Sequence, residues 1–109
     1  ETLTIDDLVE RNELYYKKFS DVPFKGEVTG KKQGSMKDGK KDGEWVYYWE
    51  NGKLWEKGKY DKDSWRVGRW VYYHDNGQLE TKGEFKNGNR VGEWVFYKKD
   101  GTFDIKLTY

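Results

Sequence analysis

Apolar and polar residues alternate along most of this chain, and the alternation is interrupted every 11 to 13 residues by Asn-Gly, Asp-Gly or Asp-Ser. These pairs stand at Asp38-Gly39, Asn51-Gly52, Asp63-Ser64, Asn76-Gly77, Asn87-Gly88 and Asp100-Gly101. A period of two places every second side chain on the same sheet face, and such dipeptides between β-rich runs are hairpin turns. The pattern predicts an all-β fold: a continuous antiparallel meander of β-hairpins that twists or curls as one sheet.

If each turn holds two residues, a register follows. Glu50 then pairs with Lys53, Trp49 with Leu54, Tyr47 with Glu56 and Trp45 with Gly58, while Trp70 stands opposite Gly83 and Trp94 opposite Leu107. A glycine across from a tryptophan leaves bare backbone over which an indole can lie. One surface, face A, carries Trp45, Tyr47, Trp49, Leu54, Tyr60, Trp70, Tyr72, Leu79, Phe85, Trp94, Phe96, Phe103, Ile105, Leu107 and Tyr109, and is the expected core. Face B carries Val46, Val71 and Val95 beside Tyr48, Tyr73 and Tyr97. Lys57, Lys82 and Lys106 face the valines, and Trp55, Glu80 and Asp104 face the tyrosines. Each aromatic can bury about 150–250 Å², so face A suffices for one sheet provided that it curls or meets a second copy. A homodimer is therefore one expectation.

Residues 1–33 fit the pattern less well and are read as a degenerate N-terminal cap on a repeat sheet spanning 34–109. Leu8 to Arg11, a turn at Asn12-Glu13, and Leu14 to Phe19 make a hairpin. Ser20 to Pro23 turns the chain into a strand from Phe24 to Val28. A short helix over 4–11 is the rival reading, because Thr4 is placed to cap it with Asp7, and Ile5, Leu8 and Val9 share helical spacing. Either form covers the first edge of the sheet, and open edges invite aggregation.

Composition bears on function. Six Trp, nine Tyr and five Phe in a chain only 34% hydrophobic suit a pleated surface rather than a helical bundle. Against 20 Asp+Glu stand 21 Lys+Arg; the net charge of +1 argues against a dedicated nucleic-acid binder, and no helix-turn-helix or ribbon-helix-helix pattern is present. Without cysteine there is no disulfide or thiol nucleophile, and His74, the single histidine, leaves a histidine metal site short of ligands. No cofactor is implied. His74 stands where its neighbouring units carry Trp49 and Lys98, which reads as a variable rim position rather than a general base. Glu56, Glu80 and Asp104 lack a marked apolar setting, so no enzyme is expected. The chain opens at Glu1 rather than Met, from which an upstream segment removed by processing or by design is inferred.

The alternation is also a repeat. Gly43-Glu-Trp-Val-Tyr-Tyr, Gly68-Arg-Trp-Val-Tyr-Tyr and Gly92-Glu-Trp-Val-Phe-Tyr begin 25 and then 24 residues apart, defining units near 43–67, 68–91 and 92–109. Gly52, Leu54, Gly58 and Tyr60 complete the first unit, and Gly77, Leu79, Gly83 and Phe85 the second. This unit resembles the bacterial variant of the MORN repeat, found in proteins commonly filed as YwqK-family antitoxin components. The resemblance implies a hairpin-repeat sheet acting as a non-enzymatic protein-interaction or scaffold module. The alternatives are an antitoxin or immunity protein that neutralises a toxin by direct contact, and a membrane-surface module for anionic lipid. The segment from Leu14 to Gly26 is similar to the lead-in of exported members, which implies a periplasmic, cell-surface or secreted protein, with a cytoplasmic one left open. Two departures, an extra residue near Trp65 and Leu107 in place of glycine, imply a disturbed turn and a last strand that acts as a cap.

A protein partner is the expectation, and its surface is expected at Tyr48, Trp55, Lys57, Tyr73, Lys82, Tyr97 and Lys106. Rigid aromatics give contact area at low entropic cost, and lysines draw in negative charge. The plain alternative is a solvated face whose cross-strand pairs support the fold. Lys31, Lys32, Lys37, Lys40 and Lys41 form a basic run that Asp38 and Asp42 dilute, read as a solvated loop. Trp-Val-Tyr-Tyr before a turn glycine also resembles choline- and glucan-binding repeats, whose aromatics enclose a quaternary ammonium or a sugar. Here Gly52 to Gly58 is one residue too long for them.

Overall fold

The alternating runs form a nine-stranded sheet and a two-stranded hairpin, so the protein is all-β. The computed structural model describes residues 2–109; Glu1, on which the upstream segment is inferred, lies outside the described residues. The strands are β1 (Thr2–Thr4), β2 (Leu8–Arg11), β3 (Leu14–Lys17), β4 (Gly26–Thr29), β5 (Lys32–Lys37), β6 (Lys40–Tyr48), β7 (Leu54–Tyr60), β8 (Arg66–Tyr73), β9 (Leu79–Lys86), β10 (Asn89–Tyr97) and β11 (Phe103–Thr108). From β4 to β11 every strand pairs antiparallel with the next, and β1 runs parallel to β4. The extents are 48 × 31 × 18 Å, the thickness of a sheet with little on either side.

Near the N-terminus a helical turn and a hairpin both form. Ile5–Asp7 is a single 3-10 turn, with the Thr4 backbone N–H and hydroxyl donating to Asp7 Oδ2 (2.9 and 3.1 Å). Asn12 and Glu13, at φ of 51° and 68°, join β2 to β3. This segment docks on face A: Leu8 and Phe24 are buried in one cluster with Val28, Met36, Trp45, Tyr47, Tyr60 and Trp70. The Asp38-Gly39 turn is clamped there, its Gly39 N–H donating to Phe24 O and its Gly39 O accepting from Tyr15 N–H, both at 2.8 Å. Strand β5 runs through positions 33 and 34 without a break.

Two kinds of turn connect the repeat strands. Asp38-Gly39 and Asn87-Gly88 are two-residue turns with both residues at positive φ, pairing Lys37 with Lys40 and Lys86 with Asn89. The other loops hold three residues. At Asn51-Gly52, Trp49 N–H donates to Lys53 O (2.8 Å) and Gly52 N–H to Trp49 O (2.9 Å), with Gly52 at φ 85°, a type I turn closed by a left-handed residue. Asn51 Oδ1 accepts the Lys53 N–H (2.9 Å), and this side-chain bond holds Asn51 in the first part of the turn. The same geometry recurs at Gly77, at Gly101, and at Asp61 to Trp65 with Ser64 as the left-handed residue. The loop at Asp63-Ser64 therefore absorbs the extra residue near Trp65.

The longer turns correct part of the register. Lys53 pairs with Trp49 rather than Glu50, and Leu54 with Tyr48 rather than Trp49, with Trp55 as the extra residue of a bulge. Leu79 likewise pairs with Tyr73, and Phe103 with Tyr97. Leu54, Leu79 and Phe103 thus sit on face B, not face A. Beyond the bulges the register stands as expected: Trp45 opposite Gly58, Tyr47 opposite Glu56, Trp70 opposite Gly83 and Trp94 opposite Leu107.

The indoles do not lie over the residues that face them from the following strand, Gly58, Gly83 and Leu107. Each leans the other way, toward the preceding strand: Trp45 covers Gly34, Trp70 covers Gly58 and Trp94 covers Gly83. In each case a Cβ on the glycine would fall closer than 3.0 Å to the ring. Tyr60 stands edge-on between Trp45 and Trp70, and Phe85 between Trp70 and Trp94, at centroid distances of 5.1 to 6.5 Å. All three tryptophans are 0% exposed, including Trp94, which has no second layer of strands above it. Trp45, Trp70 and Trp94 are thus buried within a single copy of the chain.

Candidate functional site

Face B presents an unbroken row of register pairs: Val46 with Lys57, Lys57 with Val71, Val71 with Lys82, Lys82 with Val95 and Val95 with Lys106. Strand alternation puts all six side chains on one surface. Lys57 and Lys106 are exposed and the valines half-buried. Beside this row Tyr48, Tyr73 and Tyr97, also half-buried, pair with Leu54, Leu79 and Phe103, so that face carries more apolar surface than the sequence reading assigned. Lys82 Nζ lies 6.0 Å from the centre of the Tyr97 ring, and Lys106 Nζ 3.5 Å from Glu93.

Trp55 does not join this group. Its ring lies 5.0 Å from Trp49 and 6.2 Å from Tyr47, two side chains of face A, because the bulge rotates it away from Tyr48. The equivalent position in the next unit behaves alike: Glu80 stands 3.3 Å from His74 Nδ1 rather than across from Tyr73.

His74 is not a loose rim residue. Its Nε2–H donates to Tyr97 O (2.9 Å), as Trp49 Nε1–H donates to Tyr73 O (3.1 Å) one unit earlier. Asn51 and Asn76 donate to Asp75 O and Lys99 O, both at 2.7 Å. These bonds staple each hairpin turn to the next, which fixes the spacing of the Tyr48, Tyr73 and Tyr97 positions on the other side.

On face A the sequence reading missed a set of cations. Lys41 Nζ lies 5.1 Å from the Trp45 ring centre, Arg66 Cζ 4.3 Å from Trp70, and Arg90 Cζ 4.6 Å from Trp94. Each stands two residues before the glycine that opens its unit, a recurrence visible in the sequence. Each also donates to a tyrosine hydroxyl: Lys41 to Tyr47 (2.8 Å), Arg66 to Tyr72 (2.7 Å) and Arg90 to Tyr109 (3.1 Å). The cations lid the indoles, so Trp45, Trp70 and Trp94 form no open cage for a quaternary ammonium such as choline-binding repeats hold. Lys41 is also not part of a solvated loop; Lys32 and Lys37 lie on β5, Lys40 and Lys41 on β6, and Lys31, between β4 and β5, pairs with Glu50.

Glu56 has the apolar setting that the sequence did not mark. It is 7% exposed and ion-paired with Arg66 (3.4 Å). Burial pushes its carboxyl up, although Arg66 and Lys41 pull it down. Burial also lowers Lys41, helped by Lys32 and Arg66, and raises Tyr47, helped by its hydrogen bond with the Tyr60 hydroxyl (2.9 Å). These groups satisfy one another inside a lid, leaving face B as the more open surface.

The repeated Gly–Trp–cation geometry can be set beside known families. Residues 41–62 and 66–87 match the MORN repeat variant. Both MORN matches begin at or beside a lid residue, Lys41 or Arg66, and end just past an aromatic of the edge-to-face ladder, Tyr60 or Phe85. Beyond the matched residues, Arg90, Gly92 and Trp94 of β10 repeat the cation, glycine and indole arrangement seen at Lys41, Gly43 and Trp45. No curated protein and no solved structure matches the chain. MORN repeats are in general interaction or scaffold modules without catalytic activity.

Proposed function

We propose that this protein is a non-enzymatic interaction module that holds an acidic protein segment along face B. The observation that carries the reading is the row Val46, Lys57, Val71, Lys82, Val95 and Lys106, six successive positions across the sheet. Such a row alternates apolar contact with positive charge from strand to strand, so the charge recurs on every second strand, about 9.6 Å apart at a strand spacing of about 4.8 Å. Tyr48, Tyr73 and Tyr97 flank it as anchors with few rotamers to lose. Trp55 has no part in this surface. A toxin neutralised by direct contact would be one instance of such a partner.

The test is retention of a partner by two parallel baits, the wild-type chain and a Tyr48→Ala/Tyr73→Ala/Tyr97→Ala variant whose tryptophan fluorescence matches the wild type. Cell fractions of the source organism are passed over both, and phosphatidylserine vesicles are offered separately. A protein held by the wild type, lost from the variant and released by salt is the expected outcome. Equal retention by both baits would overturn the assignment to face B. Binding of vesicles with no protein retained would favour the anionic-lipid reading instead.

A further inference from the structure

Spacing on face B restricts what an acidic segment there can be. Lys57, Lys82 and Lys106 recur on every second strand, so each stands about 9.6 Å from the next and the outer two about 19 Å apart. A second row runs alongside them, in which Tyr48 pairs with Leu54, Tyr73 with Leu79 and Tyr97 with Phe103. Its members are half-buried, except for Phe103, which is 57% exposed. Lys82 bridges the two rows, its Nζ 6.0 Å from the centre of the Tyr97 ring. On the other flank of the lysines opposite charges already pair in register, Glu44 with Lys59 and Arg69 with Glu84. New carboxylates are therefore best met between the lysines and the aromatic row. The strands spend their N–H and C=O groups on one another, so the face offers side chains alone.

Given an acidic segment on face B, as proposed above, we infer that it is a polyproline II helix with a carboxylate at every third residue. It lies across the strands with its acids over Lys57, Lys82 and Lys106 and its prolines against Tyr48, Tyr73 and Tyr97. Polyproline II makes one turn in three residues and about 9.3 Å. Carboxylates at every third residue thus form one straight ridge, which drifts only about 0.6 Å from the lysines over their whole span. An α-helix returns to the same side after seven residues, about 10.5 Å, and drifts about 1.8 Å. In an extended strand the side chains of one face recur at about 6.6 or 13 Å, and neither fits. Polyproline II also keeps its backbone in water and asks no bonds of the sheet. Aromatic-lined grooves are surfaces on which such helices dock.

Fluorescence anisotropy of labelled peptides with the full chain tests this. A repeat of Glu-Pro-Pro should bind and be released by salt. A peptide of the same composition with its glutamates in one block should bind roughly tenfold more weakly because its charges are out of phase. A repeat of Glu-Gly-Gly should lose roughly as much, because it is not preorganised. Lys57→Glu/Lys82→Glu should abolish binding of Glu-Pro-Pro with unchanged near-ultraviolet dichroism from the tryptophans, and should take up a repeat of Lys-Pro-Pro instead. Equal binding of the three acidic peptides would overturn the polyproline II assignment and leave the acidic-segment reading standing. So would failure of Glu-Pro-Pro to bind while the wild-type bait still retains a protein that the tyrosine variant loses. Binding of Glu-Pro-Pro that is indifferent to Lys57→Glu/Lys82→Glu would overturn the placement on face B.

Discussion

The indole of Trp70 lies flat on the backbone of Gly58, and a Cβ at Gly58 would meet its ring at less than 3.0 Å. The glycine is demanded by space. Gly68 differs: it stands at φ 70° in a bulge of β8, and a Cβ there would meet nothing within 4 Å. Its demand is on the backbone alone. Gly58→Ala should therefore cost about 3 kcal/mol or more through overpacking, and Gly68→Ala about 1–2 kcal/mol through left-handed strain. Urea titrations of the two variants would check the order, and the Gly58→Ala penalty should shrink when Trp70 is first replaced by valine.

The direction of lean also settles what Leu107 does. Because every indole reaches toward the preceding strand, the position opposite Trp94 receives no ring, and a side chain there meets no clash. Leu107→Gly should cost about 1 kcal/mol, the backbone entropy of a strand glycine, whereas Gly83→Leu should abolish folding because the Trp94 ring occupies that space. Thermal melts of the two variants separate these outcomes.

Burial divides the aromatics of a single unit as sharply. Trp70 is 0% exposed between Gly58, Tyr60, Phe85 and the Arg66 guanidinium, while Tyr73 is half-buried on the other face. Trp70→Ala should cost about 3–5 kcal/mol, as large core aromatics do, and Tyr73→Ala far less. Equal shifts of the denaturation midpoint would show that the two faces are wrongly divided.

Much of this arrangement was legible in the chain, and the parts that were not have identifiable causes. The strands follow from alternation, while the pairing of Trp45, Trp70 and Trp94 and the rows of face B rest on two-residue turns and stand because each bulge offsets the residue that the longer turn adds. The turn lengths were not legible, because Asn-Gly suits both a two-residue turn and a type I turn closed by glycine. Asn51 chooses the second by capping the Lys53 N–H, and the single residue so gained carries Trp55 away from the tyrosines. A register gives Cα partners but not the way a ring leans, so the glycine beneath each indole was assigned to the wrong strand. Lys41, Arg66 and Arg90 recur at one position of the unit, but a recurring charge does not by itself show whether its stem crosses a ring or reaches into solvent.

Buried tyrosines, among them Tyr47 and Tyr72 beneath those cations, set a response to alkaline pH. Burial raises Tyr47, Tyr15 and Tyr72 above the ordinary value of 10.0, so the folded chain keeps protons that the unfolded chain releases. Their contribution to stability is fully present below 10.0 and is lost as pH rises through the folded-state values. Lys41 acts in the opposite sense. Its folded-state value lies below 10.5, so its burial penalty is relieved as pH climbs toward that figure, softening the fall. Three groups against one leave a net loss, and the urea midpoint should decline steadily once pH passes 10.0. Tyr47→Phe should flatten that decline while lowering stability at neutral pH, since it removes the bonds to Lys41 and Tyr60. A midpoint independent of pH across this range would mean that Tyr47 ionises as freely in the folded chain as in the unfolded one.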